Sequence, residues 1–347
     1  MRVREAVAAW VRFWFTPADP VALHAVRVAA GMLFLAWLLP LAGHRDALFG
    51  LNGWFDRQAF ADASALPDGP PKPLGWSALY LGDGGPGVVA AVYFGTLAVL
   101  VLFTLGVWVR LSAVLTWVAV ASFTAHPAAE TDADVLLPIL AFYLMVGYVL
   151  TGQRTAGLSW TARLLGGRSV QPLGPLDRPA DPSTGAAVAL RLLQVHLALV
   201  IVTTGLHKLQ FGDWWAGVAL WYPLHPPLET SLPQVRAHAG NAERYLMFLN
   251  IAGYAALAWQ IGFQLFAWRH GGRWLLLGGA AVGWVGVAFV YGLPLYGPAV
   301  LVGCLAFVRP EAWRWLIARA ADGWRPWVGR TDRPGSVRLP ATSGRAQ

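Results

Sequence analysis

Residues Gly185–Lys208 read GAAVALRLLQVHLALVIVTTGLHK. The stretch has no proline and no acid, and its apolar residues run right round a helix rather than along one face. A helix that is apolar all round is either buried in a large core or crosses a membrane. About 20 such residues cover the ~30 Å of a bilayer's hydrocarbon layer. The stretch therefore predicts a transmembrane helix, with polar side chains at Arg191, Gln194, His196, Thr203, Thr204, His207 and Lys208.

Similar runs lie on both sides of it. Pro20–Gly43, Gly87–Val109, Ala133–Gly152, Tyr245–Trp268 and Arg273–Gly292 are of spanning length; Leu111–Ala125 and Leu295–Val308 are shorter. Together they predict an all-α, polytopic integral membrane protein with about eight transmembrane helices. Composition agrees. The 347 residues are 56% hydrophobic and 13% charged, with a mean hydropathy of +0.50, against roughly a quarter charged in soluble domains. This excludes a disordered chain. It also excludes nucleic acid as the partner of the basic balance, which needs clustered cations on a soluble face. The first run is too long for a signal-peptide core, so no cleaved leader is expected.

The +8 net charge reads as orientation. Lys and Arg accumulate on the cytoplasmic side of membrane proteins. With an N-terminus inside, the inner segments hold 18 of the 26 basic residues and the outer loops six. An N-in, C-in topology follows. Residues 1–18 predict an interfacial amphipathic helix, with Arg2, Arg4 and Arg12 among Val3, Val7, Trp10, Val11 and Phe13. Residues 19–310 form the membrane domain. Residues 311–347 form a basic cytoplasmic tail that opens on an amphipathic stretch and ends disordered from about Asp332. The inner segment 153–184 reads as a flexible linker. Two long outer loops, 44–86 and 208–244, are rich in Trp, Pro and Gly, and long loops more often carry function than short ones.

A repeat is visible in outline. His44-Arg45 followed by Phe49-Gly50 ends the first span; His207-Lys208 followed by Phe211-Gly212 ends the fifth. Each pair precedes a long outer loop and three more helices. Two four-helix units in parallel give this pattern.

Chemistry concentrates on the fifth span. Ionisable residues inside spans are costly and usually face a bundle interior or a cavity. Gln194, Ile201, Thr204 and Lys208 share one stripe, and His196, Thr203 and His207 an adjacent one. The two stripes are expected to line one polar cleft. The competing reading of Lys208 is an anchor that snorkels to the headgroups, and that of His196 is a hydrogen-bonded core histidine. Gln260 and Gln264 read as bonds to a neighbouring helix. One fact sets Lys208 apart: the chain holds 24 Arg and only two Lys, Lys72 and Lys208. Arg serves equally as an anchor, but only Lys loses its proton readily enough to act as a base. The single cysteine, Cys304, makes no intramolecular disulfide and no Cys-rich metal site, and no metal is expected.

Gly205-Leu206-His207-Lys208-Leu209, followed by Asp213-Trp214-Trp215-Ala216-Gly217, resembles a segment of the vitamin K-dependent γ-carboxylases. That segment reads Gly-x-Lys-Lys-Leu, a short gap, then Asp-Trp-x-x-Gly. Phe13–Asp19 (FWFTPAD), Arg27–Gly31 and Leu48–Asp56 (LFGLNGWFD) resemble the related bacterial HTTM (horizontally transferred transmembrane) proteins. The resemblance covers residues 10–310. It implies a lysine base on the outer side, Lys208, that deprotonates a reduced quinone of the vitamin K hydroquinone kind, with His207 beside it. His196, Thr204, Asp213, Trp214 and Trp215 would contact the lipid-soluble substrate or shape the outer mouth.

Departures from the family pattern limit what carries over. His207 replaces the family's first lysine, Asp132-Ala133 stands where the carboxylases have Asn-His, and a further family histidine falls near Val282. The large C-terminal substrate-binding region has no counterpart before residue 347. Quinol oxidation or epoxidation, or lipid modification, is therefore expected over glutamate carboxylation. Two other readings stand beside the enzyme. One is a non-catalytic membrane scaffold or redox-complex partner of the DoxX-like kind, its protein partner unknown. The other is a transporter or proton relay through His196, His207 and Lys208.

Overall fold

The computed structural model describes residues 3–50, 53–54, 58, 62, 77–80, 85–152, 181–225, 233, 242–269 and 271–324. The expected linker (apart from 181–184), Lys72 with most of the first outer loop, and the tail beyond Trp324 lie outside the described residues.

The described residues form helices, with no strand among them. In chain order the helices used below are α1 Val3–Phe15, α2 Val21–Leu38, α3 Arg45–Phe49, α4 Pro86–Leu105, α5 Val109–Thr124, α6 Leu136–Thr151, α7 Thr184–Lys208, α8 Gly212–Trp215, α9 Trp221–Leu224, α10 Ala242–Phe266, α11 Gly272–Tyr291, α12 Tyr296–Cys304 and α13 Pro310–Trp324. A 3-10 turn, Leu39–His44, joins α2 to α3, and another, Leu305–Phe307, extends α12. Five helices are long and apolar enough to cross a membrane: the α2–α3 rod over Val21–Phe49, then α4, α7, α10 from Glu243, and α11. Three apolar helices are shorter: α5, α6 and α12 with its 3-10 extension.

Local chemistry sets these boundaries. Pro86 occupies the first turn of α4, where its missing N–H costs nothing. Gly106 ends that helix in the left-handed conformation, at φ 77°. Ser183 caps α7 by accepting the Ala186 amide at 3.3 Å. The apolar run Ala133–Gly152 yields helix only over Leu136–Thr151, because Thr131–Asp134 is held as a turn. There the Asp134 carboxylate accepts from the Thr131 amide and hydroxyl at 2.9 and 3.2 Å.

The helices pack in two rings of four. In the first, α2 contacts α4, α4 contacts α5, α5 contacts α6, and α6 returns to α2. In the second, α7 contacts α10, α10 contacts α11, α11 contacts α12, and α12 returns to α7. The first and last helices of each ring make the junction: α6 on α7, α2 on α12, α2 on α7 and α6 on α12. Just before α2 and α7, Ala18 and Ser183 form an antiparallel bridge with reciprocal N–H to O bonds of 3.2 and 2.9 Å. Half of the most apolar window of α7 is buried inside the protein, against 11% for α11. The fifth predicted span is thus the central helix, and α11 turns most of its apolar surface outward.

Both terminal amphipathic helices sit at one end of the bundle, where α2 and α7 begin. Phe13 of α1 lies under the Arg191 guanidinium at 4.6 Å, and Arg314 of α13 is ion-paired with Asp19 ahead of α2. Val3, Val7, Trp10 and Val11 of α1 remain exposed.

Candidate functional site

The opposite end of α7 carries the residues singled out in the sequence. Glycine at 205 brings α7 close to α10: a Cβ there would stand 2.9 Å from Gln260 Cβ and 3.2 Å from Ile261 Cγ1. This approach places the next turn of α7 within reach of α10. Lys208 Nζ donates to Gln260 Oε1 at 3.0 Å and lies 4.6 Å from the centre of the Trp214 ring. Lys208 is half-buried, and no carboxylate pairs with it among the described residues. Its amine therefore turns into the protein and is held by an amide oxygen and an indole face, both neutral. The expected bond from Gln260 to a neighbouring helix is present, with Lys208 as its donor; Gln264, one turn on, is exposed.

A tight aromatic turn follows. Trp215 Nε1 donates to the Leu209 carbonyl at 2.7 Å, and Tyr254 of α10 donates to the Trp215 carbonyl at 2.6 Å. Gly217 takes φ +71°, and a Cβ there would overlap the Asn250 side chain. Trp214 is half-buried over Lys208, whereas Asp213 and Trp215 are exposed.

The two stripes of α7 share a cleft only in part. Gln194 is buried and donates to the Ala306 carbonyl at 2.7 Å. His196 Nδ1 is 2.8 Å from the Tyr143 hydroxyl of α6, a bond across the two rings. Neither shares a hydrogen bond with the Lys208 end of the helix. Thr203, Thr204 and His207 do come together. With Leu206 and Gln210 they line an open recess of about 580 Å³. His207 is exposed and meets Phe211 edge-on at 5.2 Å. Thr203 and Thr204 both return their hydroxyls to α7 carbonyls, the usual way such side chains are satisfied in an apolar helix. The site thus has two sides: a recess with His207, and a flank where Lys208 meets Gln260 and Trp214.

One element was not visible in the sequence. Asp132, from the link between α5 and α6, accepts the Leu295 and Tyr296 amides on one carboxylate oxygen at 3.0 and 2.7 Å. It thereby caps α12 across the two rings. The available signal was a deficit: Gly292-Leu293-Pro294-Leu295 offers α12 no side-chain cap of its own. Among the described residues no three His, Cys, Asp or Glu side chains gather as metal ligands.

Compared with known proteins, the chain matches no family model, no curated protein and no solved structure. Fold and site define an all-helical protein of membrane-spanning composition with a polar site at one end of its central helix.

Proposed function

We propose that this chain is a bacterial inner-membrane protein of the HTTM and γ-carboxylase-like kind, with eight spans in two four-helix units, N-in and C-in. Five long and three shorter apolar helices support the count. An even number of crossings returns both termini to one side, which agrees with α1 and α13 docking at the same end. The reciprocal junction between the two rings supports the paired units.

Its activity, in this proposal, is on a lipid-soluble reduced quinone at the outer end of α7, with Lys208 as the base. The carrying observation is the setting of the Lys208 amine, held by Gln260 and Trp214 with no carboxylate partner among the described residues. An amine locked to a carboxylate is a poor proton acceptor; one held by neutral groups is available to a ligand hydroxyl. A snorkelling anchor would instead extend to the headgroups. The recess next to it suits a quinol: Leu206 offers apolar surface, and His207 and Gln210 offer donors and acceptors to ring oxygens. His196, bonded to Tyr143, stands apart as a contact between the units.

The test is turnover of menaquinol or vitamin K hydroquinone, with dissolved oxygen as the two-electron oxidant, by the purified protein in nanodiscs. Lys208→Arg keeps the charge and removes the base. The reading expects wild-type turnover and its loss in Lys208→Arg. Equal turnover in the two, or a wild type that neither binds nor oxidises quinol, refutes it.

A further inference from the structure

The inner end of the second ring gathers two arginines that no carboxylate pairs with among the described residues. Arg191, in the second turn of α7, donates through Nη1 to Gln194 Oε1 at 2.9 Å and stacks on Phe13. Arg273, in the first turn of α11, lies near enough for its charge to act on Arg191. The Nε and Nη1 of Arg273 are buried without a hydrogen-bond partner among the described residues. Neither arginine belongs to the ion pairs Arg45–Asp46 and Arg314–Asp19, the second of which lies at the same end ahead of α2. Gln194 cannot relieve the charge, because its oxygen is taken by Arg191 and its amide by Ala306. The neighbouring layer adds another donor. Trp268 packs on Phe307 at 5.4 Å, the residue after Ala306, and its indole N–H is also buried without a partner.

Like charges within electrostatic reach destabilise each other, and a buried donor left unbonded costs free energy. Snorkelling does not account for Arg273, whose two nitrogens are withdrawn from the surface. An oxyanion resolves both costs at once. Phosphate is the better match than carboxylate: two guanidiniums present two charges and several forked N–H groups, which one carboxylate cannot fill. Basic pockets between helices on the cytoplasmic side are where lipid headgroups bind.

We propose that Arg191 and Arg273, with Trp268 as a further donor, form a phosphate-binding site at the inner end of the second ring. The phosphate is carried on an anionic phospholipid or is free in solution. The site is separate from Lys208 and does not depend on any chemistry there.

Native mass spectrometry and melting curves of the full-length protein in detergent test this with three probes: dioleoylphosphatidylglycerol, dioleoylphosphatidylcholine and inorganic phosphate. The wild type is expected to bind and be stabilised by phosphatidylglycerol or by phosphate, and not by phosphatidylcholine. Stabilisation by phosphatidylglycerol alone identifies a lipid site; stabilisation by millimolar phosphate, or its displacement of the lipid, identifies a site for the free anion. Arg273→Gln and Arg191→Gln each weaken that binding about tenfold or more, the scale of losing a charge-assisted bidentate contact. Arg273→Lys keeps the charge without the fork and loses part of it. Arg4→Gln, on the exposed α1, leaves it unchanged. Without added anion, Arg273→Gln melts no lower than the wild type, because it relieves repulsion. Three results overturn the proposal: wild-type binding by Arg273→Gln, equal binding of the two lipids with no phosphate effect, or a lowered anion-free melting point in Arg273→Gln, which would give the guanidinium a structural role.

Discussion

Asp132→Ala removes the carboxylate that fastens α12 to the first ring. The wild-type oxygen takes two amides, at 3.0 and 2.7 Å. Hydrogen bonds to a charged group contribute roughly 1.5–3 kcal/mol each, and deleting an N-cap costs about 0.5–2 kcal/mol. Asp132 is only half-buried, so water replaces part of what is lost. Taking the low end for both bonds and discounting for hydration gives about 2 kcal/mol. Asp132→Asn separates geometry from charge. Its amide oxygen can accept the same two N–H groups, and neutral bonds are roughly half as strong as charged ones, so about 1 kcal/mol is expected. The assay is reversible unfolding by SDS titration in mixed micelles, followed by far-UV circular dichroism. The ordering wild type, Asn, Ala in decreasing stability is required. An Asp132→Ala protein within about 0.5 kcal/mol of wild type, the range of an ordinary surface substitution, refutes the reasoning. So does an Asn variant less stable than the Ala variant.

Three further outcomes are expected. Gly205→Leu forces α7 and α10 apart where a Cβ already meets Gln260, destabilising by about 1–3 kcal/mol; loss of the Lys208–Gln260 bond should show as faster amine labelling by a membrane-impermeant reagent. Gly217→Ala places a side chain at φ +71° and into Asn250, costing about 2 kcal/mol or more by the same SDS titration. His196→Phe removes the bond to Tyr143 and costs only about 0.6 kcal/mol, the average for polar contacts between membrane helices; a loss above about 2 kcal/mol would mean that His196 has a larger role than one contact.

The helices were legible because bilayer-scale apolar runs leave few alternatives. The run Gly185–His207 and the helix Thr184–Lys208 agree to within a residue at each end. The run at Ala133 began three residues early, since hydropathy is blind to the Asp134 side chain that holds the turn. Of the site, the proximity of Thr203, Thr204 and His207 followed from helical period alone. The expectation of one cleft carried through only in part, because α7 is central and its polar side chains meet different neighbours: Ala306 for Gln194, Tyr143 for His196, and Gln260 for Lys208. Periodicity assigns a residue to a face but does not say which helix covers it. Asp132 was out of reach for a related reason, since its partners are backbone amides 163 and 164 positions away and amides leave no mark on residue type.

The bridge between Ala18 and Ser183 joins the segments that lead into the first helix of each ring, and His44-Arg45 and His207-Lys208 lie toward the far ends of those helices. In a dimer of identical subunits every substitution occurs twice, so both copies of a site must change together. Joining two such units in one chain removes that constraint. The difference is already visible. Arg45 reaches Phe94 on its own ring's second helix but is neutralised by Asp46 at 3.0 Å. Lys208 reaches the second helix of its ring too and, among the described residues, is held by Gln260 and Trp214. One half holds its cation in an ion pair and the other holds it with neutral groups, a difference open to a fused pair and closed to a symmetric one.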